Sequence, residues 1–152
     1  MSAVEVTAST GRYLSAILLV SATEGRPAKT GEIADRLGVS PASVTEMLTT
    51  LEESGLVTYE KYRGARLTPE GEAVTRELMW KHCLADNFME ANLDLDPTDA
   101  RQFGHALSDE SAAALRRLID HPCDGACGAP HDEYSECTDE VQEQSCWWRT
   151  SR

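Results

Sequence analysis

Four of the five cysteines fall in the last 30 residues, as Cys123-x3-Cys127-x9-Cys137-x8-Cys146, with His121 and His131 interspersed. Clustered thiols suggest metal or redox chemistry more than structural disulfides when a chain lacks a secretory leader. Met1-Ser2-Ala3-Val4-Glu5 shows no basic region before an apolar one, so we expect no signal peptide and a cytoplasmic protein. Zinc sites usually open with a two-residue gap between paired ligands, and the three-residue gap here fits that less well. Four thiolates on a Gly-rich segment suit an iron–sulfur cluster, whose ligand spacings vary widely. The expected occupant of Cys123, Cys127, Cys137 and Cys146 is therefore an iron–sulfur cluster. Mononuclear zinc or iron, thiol–disulfide switching and no site at all stay open as alternatives. Cys83 lies within a predicted helix and reads as packed. The four histidines are scattered, and there is neither a Ser-His-Asp spacing nor a phosphate loop, so an enzyme is not expected.

A second group of residues could do recognition chemistry. Ser40, Pro41, Ala42, Ser43 and Thr45 open a predicted helix with small outward side chains. Short hydroxyls let a helix approach base edges and phosphates closely, and a helix N-terminus favours a phosphate. Downstream, Lys61, Tyr62, Arg63 and Arg66 crowd a predicted hairpin, where cations can meet a nucleic-acid backbone or minor groove.

The elements that must position these groups follow from periodicity. Tyr13, Leu14, Ile17, Leu18 and Val20 predict a helix over 10–23, broken by Gly25-Arg26-Pro27. A short helix follows from Thr30 to Leu37, with Gly38 as its stop. Ser40 is an N-cap with Pro41 at the first helical position, and Val44, Met47, Leu48 and Leu51 line a third helix to about Ser54. Residues 56–60 and 65–67 read as antiparallel strands around the turn 61–64. Thr68 then caps a long helix reaching about Ala91. Shorter helices follow over 97–107 and, capped by Ser108, over 109–120. Helix, helix, four-residue turn, helix and hairpin in that order predict a winged helix-turn-helix. The fold class is mainly α, with 1–68 as a DNA-binding domain, 69–121 as a helical dimerisation domain and 122–152 as a cysteine-rich tail.

Charge first argues against nucleic acid, because the 152 residues carry a formal net charge of −12. The acid is not spread evenly. Up to Thr68 there are 7 Lys and Arg against 8 Asp and Glu, whereas from Pro69 onward there are 7 against 18. The reading half is nearly neutral. Acid-rich, Lys-poor surfaces suit very high salt, which makes a halophilic setting the expectation. No apolar run approaches the roughly 18 residues of a membrane span, so no membrane partner is expected.

Three stretches resemble the DtxR/MntR family of metal-dependent repressors: Tyr13-Leu14-Ser15-Ala16-Ile17, the run from Ile33 through Gly38-Val39-Ser40-Pro41-Ala42-Ser43-Val44-Thr45 to Leu48, and Leu51-Glu52-Glu53-Ser54-Gly55-Leu56-Val57. Tyr59-Glu60-Lys61-Tyr62-Arg63-Gly64, Leu67-Thr68-Pro69-Glu70-Gly71 and His105-Ala106-Leu107-Ser108-Asp109-Glu110 add to it, and the likeness covers about residues 10–122. It implies a homodimer on a palindromic double-stranded operator, licensed by divalent iron or manganese. The family's metal ligands transfer only in part. His82, Asp86 and His105 match it, whereas Arg12, Ser15, Arg101 and Gly104 stand where ligands are usual, and Pro97 stands where a histidine often precedes the dimerisation helix. Arginine cannot ligate a cation at any accessible pH. We therefore expect the family site to be lost or rebuilt, with Arg12 and Arg101 supplying charge or binding Asp86.

The expected function is sequence-specific transcriptional regulation, tuned by iron or redox state through the tail. A conventional repressor using Fe2+, Mn2+ or Zn2+ at a rebuilt interdomain site is one alternative. A redox or electron-transfer protein with a vestigial winged helix and a winged helix used for protein contacts are the others.

Overall fold

The structure, a computed structural model, describes residues 6–89, 93, 100–119 and 125–127. Its elements are α1 (Ala8–Glu24), α2 (Thr30–Leu37), α3 (Pro41–Glu53), β1 (Val57–Glu60), β2 (Gly64–Leu67), α4 (Pro69–Phe88), α5 (Ala100–Ala106) and α6 (Asp109–Ile119). This is the winged helix-turn-helix followed by helices that the periodicity predicts. The chain divides into two compact units, Met1–Thr75 and Arg76–Arg152.

In the first unit, α1 packs against α2, α3 and β2, and α3 packs against β1. Leu14, Ile17, Ile33, Val44, Leu48, Leu51, Leu56 and Val57 are all but fully buried in one core. Truncating such a leucine typically costs about 2–5 kcal/mol, so this core sets the face each helix turns outward. Helix starts follow local chemistry. Ser40 Oγ accepts from Ser43 N at 3.1 Å, and Pro41 occupies the first position, where its missing N–H costs nothing. Thr68 Oγ1 accepts from Gly71 N at 3.0 Å and donates to Gly55 O at 2.7 Å, which ties the start of α4 to the end of α3.

The wing is a two-stranded antiparallel sheet with Val57 opposite Leu67 and Glu60 opposite Gly64. The turn is shorter than the spacing suggested, because Gly64 already pairs as the first residue of β2. A further bridge joins β2 to the α1–α2 connection: Ala28 N donates to Ala65 O at 2.9 Å, and Ala65 N to Ala28 O at 2.8 Å. Gly64 permits that approach, since a Cβ there would collide with the Ala28 carbonyl, and its φ is +118°.

The α1–α2 connection is clamped by charge. Arg26 Nη1 and Nη2 donate to Glu32 Oε1 and Oε2 at 2.7 and 2.9 Å, and Lys29 N donates to Oε1 at 3.0 Å. This bidentate geometry is stronger than an ordinary surface pair. It closes the turn ahead of α2 while Glu32 sits in the helix's first turn, where the dipole favours it.

In the second unit, Met79, Trp80, Cys83, Leu84 and Ala85 of α4 are buried. Phe88 stacks on Phe103 of α5 at 6.2 Å between ring centres. Lys81 Nζ lies 3.0 Å from Asp109 Oδ1 and 3.5 Å from Glu77 Oε1, joining α4 to the first turn of α6. Ser108 caps α6, its Oγ accepting from Ser111 N at 3.1 Å. Among the described residues no helix is long and apolar enough to cross a membrane.

The hydrogen bonds from Arg26, then that from Lys29, hold the Glu32 carboxyl down to about 2 from an ordinary 4.5. A depressed folded-state value gives stability that is complete above the unfolded value and is lost as pH falls through the folded one. Glu32→Gln is therefore expected to lower the urea midpoint at neutral pH. The gap from the parent should close between about pH 4.5 and about pH 2; a gap that does not vary with pH would contradict this.

Candidate nucleic-acid interface

Burying Val44, Leu48 and Leu51 leaves the opposite face of α3 in solvent. Ser40, Pro41, Ala42, Ser43 and Thr45 are all exposed there. Ser40 is occupied as a cap and also shares a hydrogen bond with Ser43 Oγ at 2.9 Å. Thr45 Oγ1 donates to Pro41 O at 3.1 Å. The face is thus small and closely held, able to lie against a groove floor without ordering long side chains.

The wing is held to α3 by Glu52, whose Oε2 accepts from Tyr59 N at 2.9 Å. Its tip carries Lys61, Tyr62 and Arg63, all exposed. Arg63 Nη1 pairs with Glu60 at 3.3 Å, but both side chains are mostly in water. Such a pair is worth less than about 1 kcal/mol, so exchanging Glu60 for a phosphate costs little. Arg66 differs from the other two cations. It is exposed, but its Nη2 lies 3.4 Å from Gly25 O, toward the α1–α2 connection.

Tyr62 is the feature that spacing did not reveal. Its φ is +71°, the one positive value on a non-glycine among the described residues. A bulky side chain in that region is a backbone outlier, costing about 1–2 kcal/mol. The ring is 91% exposed, so burial does not offset that cost. Lys61 Nζ stands 5.3 Å from the ring centre, an exposed cation–π contact worth about 0.5–1 kcal/mol. The tip therefore displays an aromatic ring between two cations at a net cost to the fold.

In the second unit, His82 of α4 is buried and His105 of α5 is partly so. His105 Nδ1 is buried without a hydrogen-bond partner among the described residues. Gly104 explains how α5 approaches α4: a Cβ there would sit 2.9 Å from His82 Cδ2 and 2.9 Å from Lys81 O. Its lack of a side chain has a packing reason. Asp86 lies on α4 and Arg101 on α5, but their side chains lie outside the described residues. Arg12 is exposed on α1, and Ser15 is buried. No group of three or more His, Cys, Asp or Glu side chains converges among the described residues.

Of the tail cysteines, Cys127 alone is described. It is buried, its N–H donates to Arg76 O at 2.9 Å, and Arg76 Nη1 returns a bond to Cys127 O at 2.9 Å. Residues 125–127 therefore dock on α4. Cys123, Cys137, Cys146, His121 and His131 lie outside the described residues, as does Pro97.

Residues 5–65 match the model for the iron-dependent repressor N-terminal DNA-binding domain, and residues 68–133 match that for the iron-dependent repressor metal-binding and dimerisation domain. The chain belongs to the DtxR/MntR family of iron-dependent repressors. It is 40% identical over 77 residues to the transcriptional regulator MntR of Lysinibacillus sphaericus, covering 51% of this chain and 55% of that protein. An uncharacterised HTH-type regulator of Methanocaldococcus jannaschii is 36% identical over 112 residues, covering 71% of this chain and 90% of its own. The manganese regulator SloR superposes with a TM-score of 0.65 at 27% identity, over 74% of this chain and 54% of that one. The chain thus spans about half the length of MntR and SloR.

For this DtxR/MntR member, the sequence placed α3 and the wing hairpin but missed the Tyr62 backbone, the Glu52–Tyr59 tether and the anchoring of Cys127 on α4. Helix-interior Gly104 was a visible signal of close packing that ligand matching treated as a loss. Tyr62→Gly and Tyr62→Asn are expected to match or exceed the parent in urea denaturation, while Tyr62→Val loses about 1 kcal/mol or more, because a β-branched residue tolerates positive φ least. Equal losses in all three would show that the ring stabilises the fold.

Proposed function

We propose that this chain is a homodimeric, metal-responsive transcriptional repressor. It would set α3 into the major groove of a double-stranded palindromic operator and the wing on the adjacent backbone. The observation that carries this is the strained, exposed wing tip together with the small, exposed N-terminus of α3 in the same unit. Pro41, Ala42, Ser43 and Thr45 meet base edges, Ser40 presents the helix N-terminus to a phosphate, and Lys61 and Arg63 contact phosphates. Arg66 serves as a second-rank contact, because it must leave Gly25 O. No catalytic role is assigned to any residue.

For the metal, His82, Asp86 and His105 are the ligands we favour. The buried Nδ1 of His105, without a hydrogen-bond partner among the described residues, can offer its lone pair to a cation, and two imidazoles with a carboxylate suit Mn2+, Fe2+ or Zn2+. A bound divalent ion would supply positive charge linking α4 to α5. His82 and His105 then act by holding these two helices of the dimerisation unit in register, which biases the population competent for DNA. The likeness to SloR, named a manganese regulator, supports a divalent ion over an iron–sulfur cluster as the signal.

A second reading keeps the cluster or a mononuclear ion on Cys123, Cys127, Cys137 and Cys146. The docked Cys127 favours it to the extent that one thiol of the four is already fixed on α4. The acid excess of the chain fits a high-salt setting under either reading.

Anisotropy titration of a mixed-sequence duplex separates these readings. Mn2+ or Fe2+ is expected to raise the parent's affinity, His82→Ala and His105→Ala to abolish the metal effect, and Cys127→Ser to leave it intact. A metal effect lost only with Cys127→Ser, in a protein whose absorption shows bound iron and sulfide, would overturn the divalent reading in favour of the tail. Lys61→Ala and Arg63→Ala should each reduce the slope of log K against log salt by about 1 per protomer. Unchanged slopes would remove the wing from the interface.

A further inference from the structure

From Leu37 to Glu60 the chain contains no Lys or Arg, so α3 offers a duplex no cation at all. Its exposed positions are instead Pro41, Ala42, Ser43, Thr45, Glu46, Thr49 and Thr50, followed by the terminal pair Glu52 and Glu53. The hydroxyls are largely committed to the helix itself. Thr45 donates to Pro41 O, Thr49 to Thr45 O at 3.0 Å and Thr50 to Glu46 O at 3.3 Å, while Ser43 shares its bond with Ser40. What these residues present outward is methyl surface and spare lone pairs. Glu52 is occupied by Tyr59 N. Glu53 lies seven residues beyond Glu46, about 10 Å further along the axis and away from the N-terminal part of the helix that meets bases. Glu46 stands one turn past Ala42 and Ser43, and its carboxylate has no ion pair or hydrogen bond among the described residues.

A carboxylate between two phosphate strands opposes binding unless it gains a hydrogen bond, and it can only accept one. The major groove offers just two donors, the N4 amino group of cytosine and the N6 amino group of adenine. At adenine the neighbouring N7 is an acceptor and repels the second carboxylate oxygen. At cytosine the neighbour is C5–H, which does not. We infer that Glu46 is the base-specificity residue of α3, accepting from the N4 amino group of one cytosine in each half-site. This rests on the DNA-reading function proposed above. The same carboxylate penalises every sequence lacking that cytosine, so it raises discrimination while lowering affinity for random DNA.

The test is selection from a randomised duplex library by the full chain in Mn2+, with the parent, Glu46→Gln and Glu46→Ala run in parallel. The parent is expected to enrich a motif with a cytosine at one position per half-site, preferred over other bases by about tenfold. Glu46→Gln should move that position to adenine, because a glutamine amide matches adenine N6 and N7 together. Glu46→Ala should lose the preference there and keep the rest of the motif. An identical motif from all three proteins overturns the inference. So does a uniform gain in affinity by both variants with base preferences unchanged, which would mean that Glu46 only repels phosphate. A parent that enriches no duplex overturns the DNA-reading function itself and this inference with it, a failure distinct from one in which the parent yields a motif.

Discussion

The apolar stripe of α3, Val44, Leu48 and Leu51, must be buried, and α1, α2 and β1 cover it. That burial orients everything the first unit presents to a partner. Once the stripe faces inward, Ser40, Ala42, Ser43, Thr45 and Glu46 face out, and of these only Glu46 extends a long side chain. A helix so equipped cannot rely on bulk positive charge. On the proposed function, it would depend on close approach and on which atoms it puts against the groove floor.

The wing is built to the same constraint. Glu52 ties β1 to α3, and the Ala28–Ala65 bridge ties β2 to the turn before α2. The hairpin therefore moves with the helix-turn-helix rather than as a free loop. On this firm base the tip tolerates a backbone strain at Tyr62 that neither burial nor the contact with Lys61 offsets. Lys61 and Arg63 are gathered at this tip, where the exposed Glu60 pair constrains Arg63 only weakly.

The second unit shows a different economy. Gly104 lets α5 press against α4 beside His82, and His105 carries a buried nitrogen with no hydrogen-bond partner among the described residues. An apolar residue would fill that space more stably, since a buried polar atom left unpaired costs about 1–3 kcal/mol. Docking of Cys127 through Arg76 adds a contact remote in sequence to the same helix, α4, that carries His82.

Much of this was legible in the order of residues. Ser40-Pro41 announced the start of α3, Gly38 the end of α2, Thr68 and Ser108 the caps of α4 and α6, because each of these acts on backbone groups within a few positions. The division of charge also needed only counting. Family membership was readable because the helix-turn-helix and wing residues lie in one continuous run. Tertiary structure decided what depends on groups far apart in sequence or on a dihedral angle. The positive φ of Tyr62 is set by strand pairing on either side of it, the turn of Arg66 toward Gly25 by packing 41 residues away, and the meaning of Gly104 by a helix that ends before it begins. Glu46 joins both sources: its charge is in the sequence, but its place on the outward face, without an ion pair among the described residues, follows from how α3 packs.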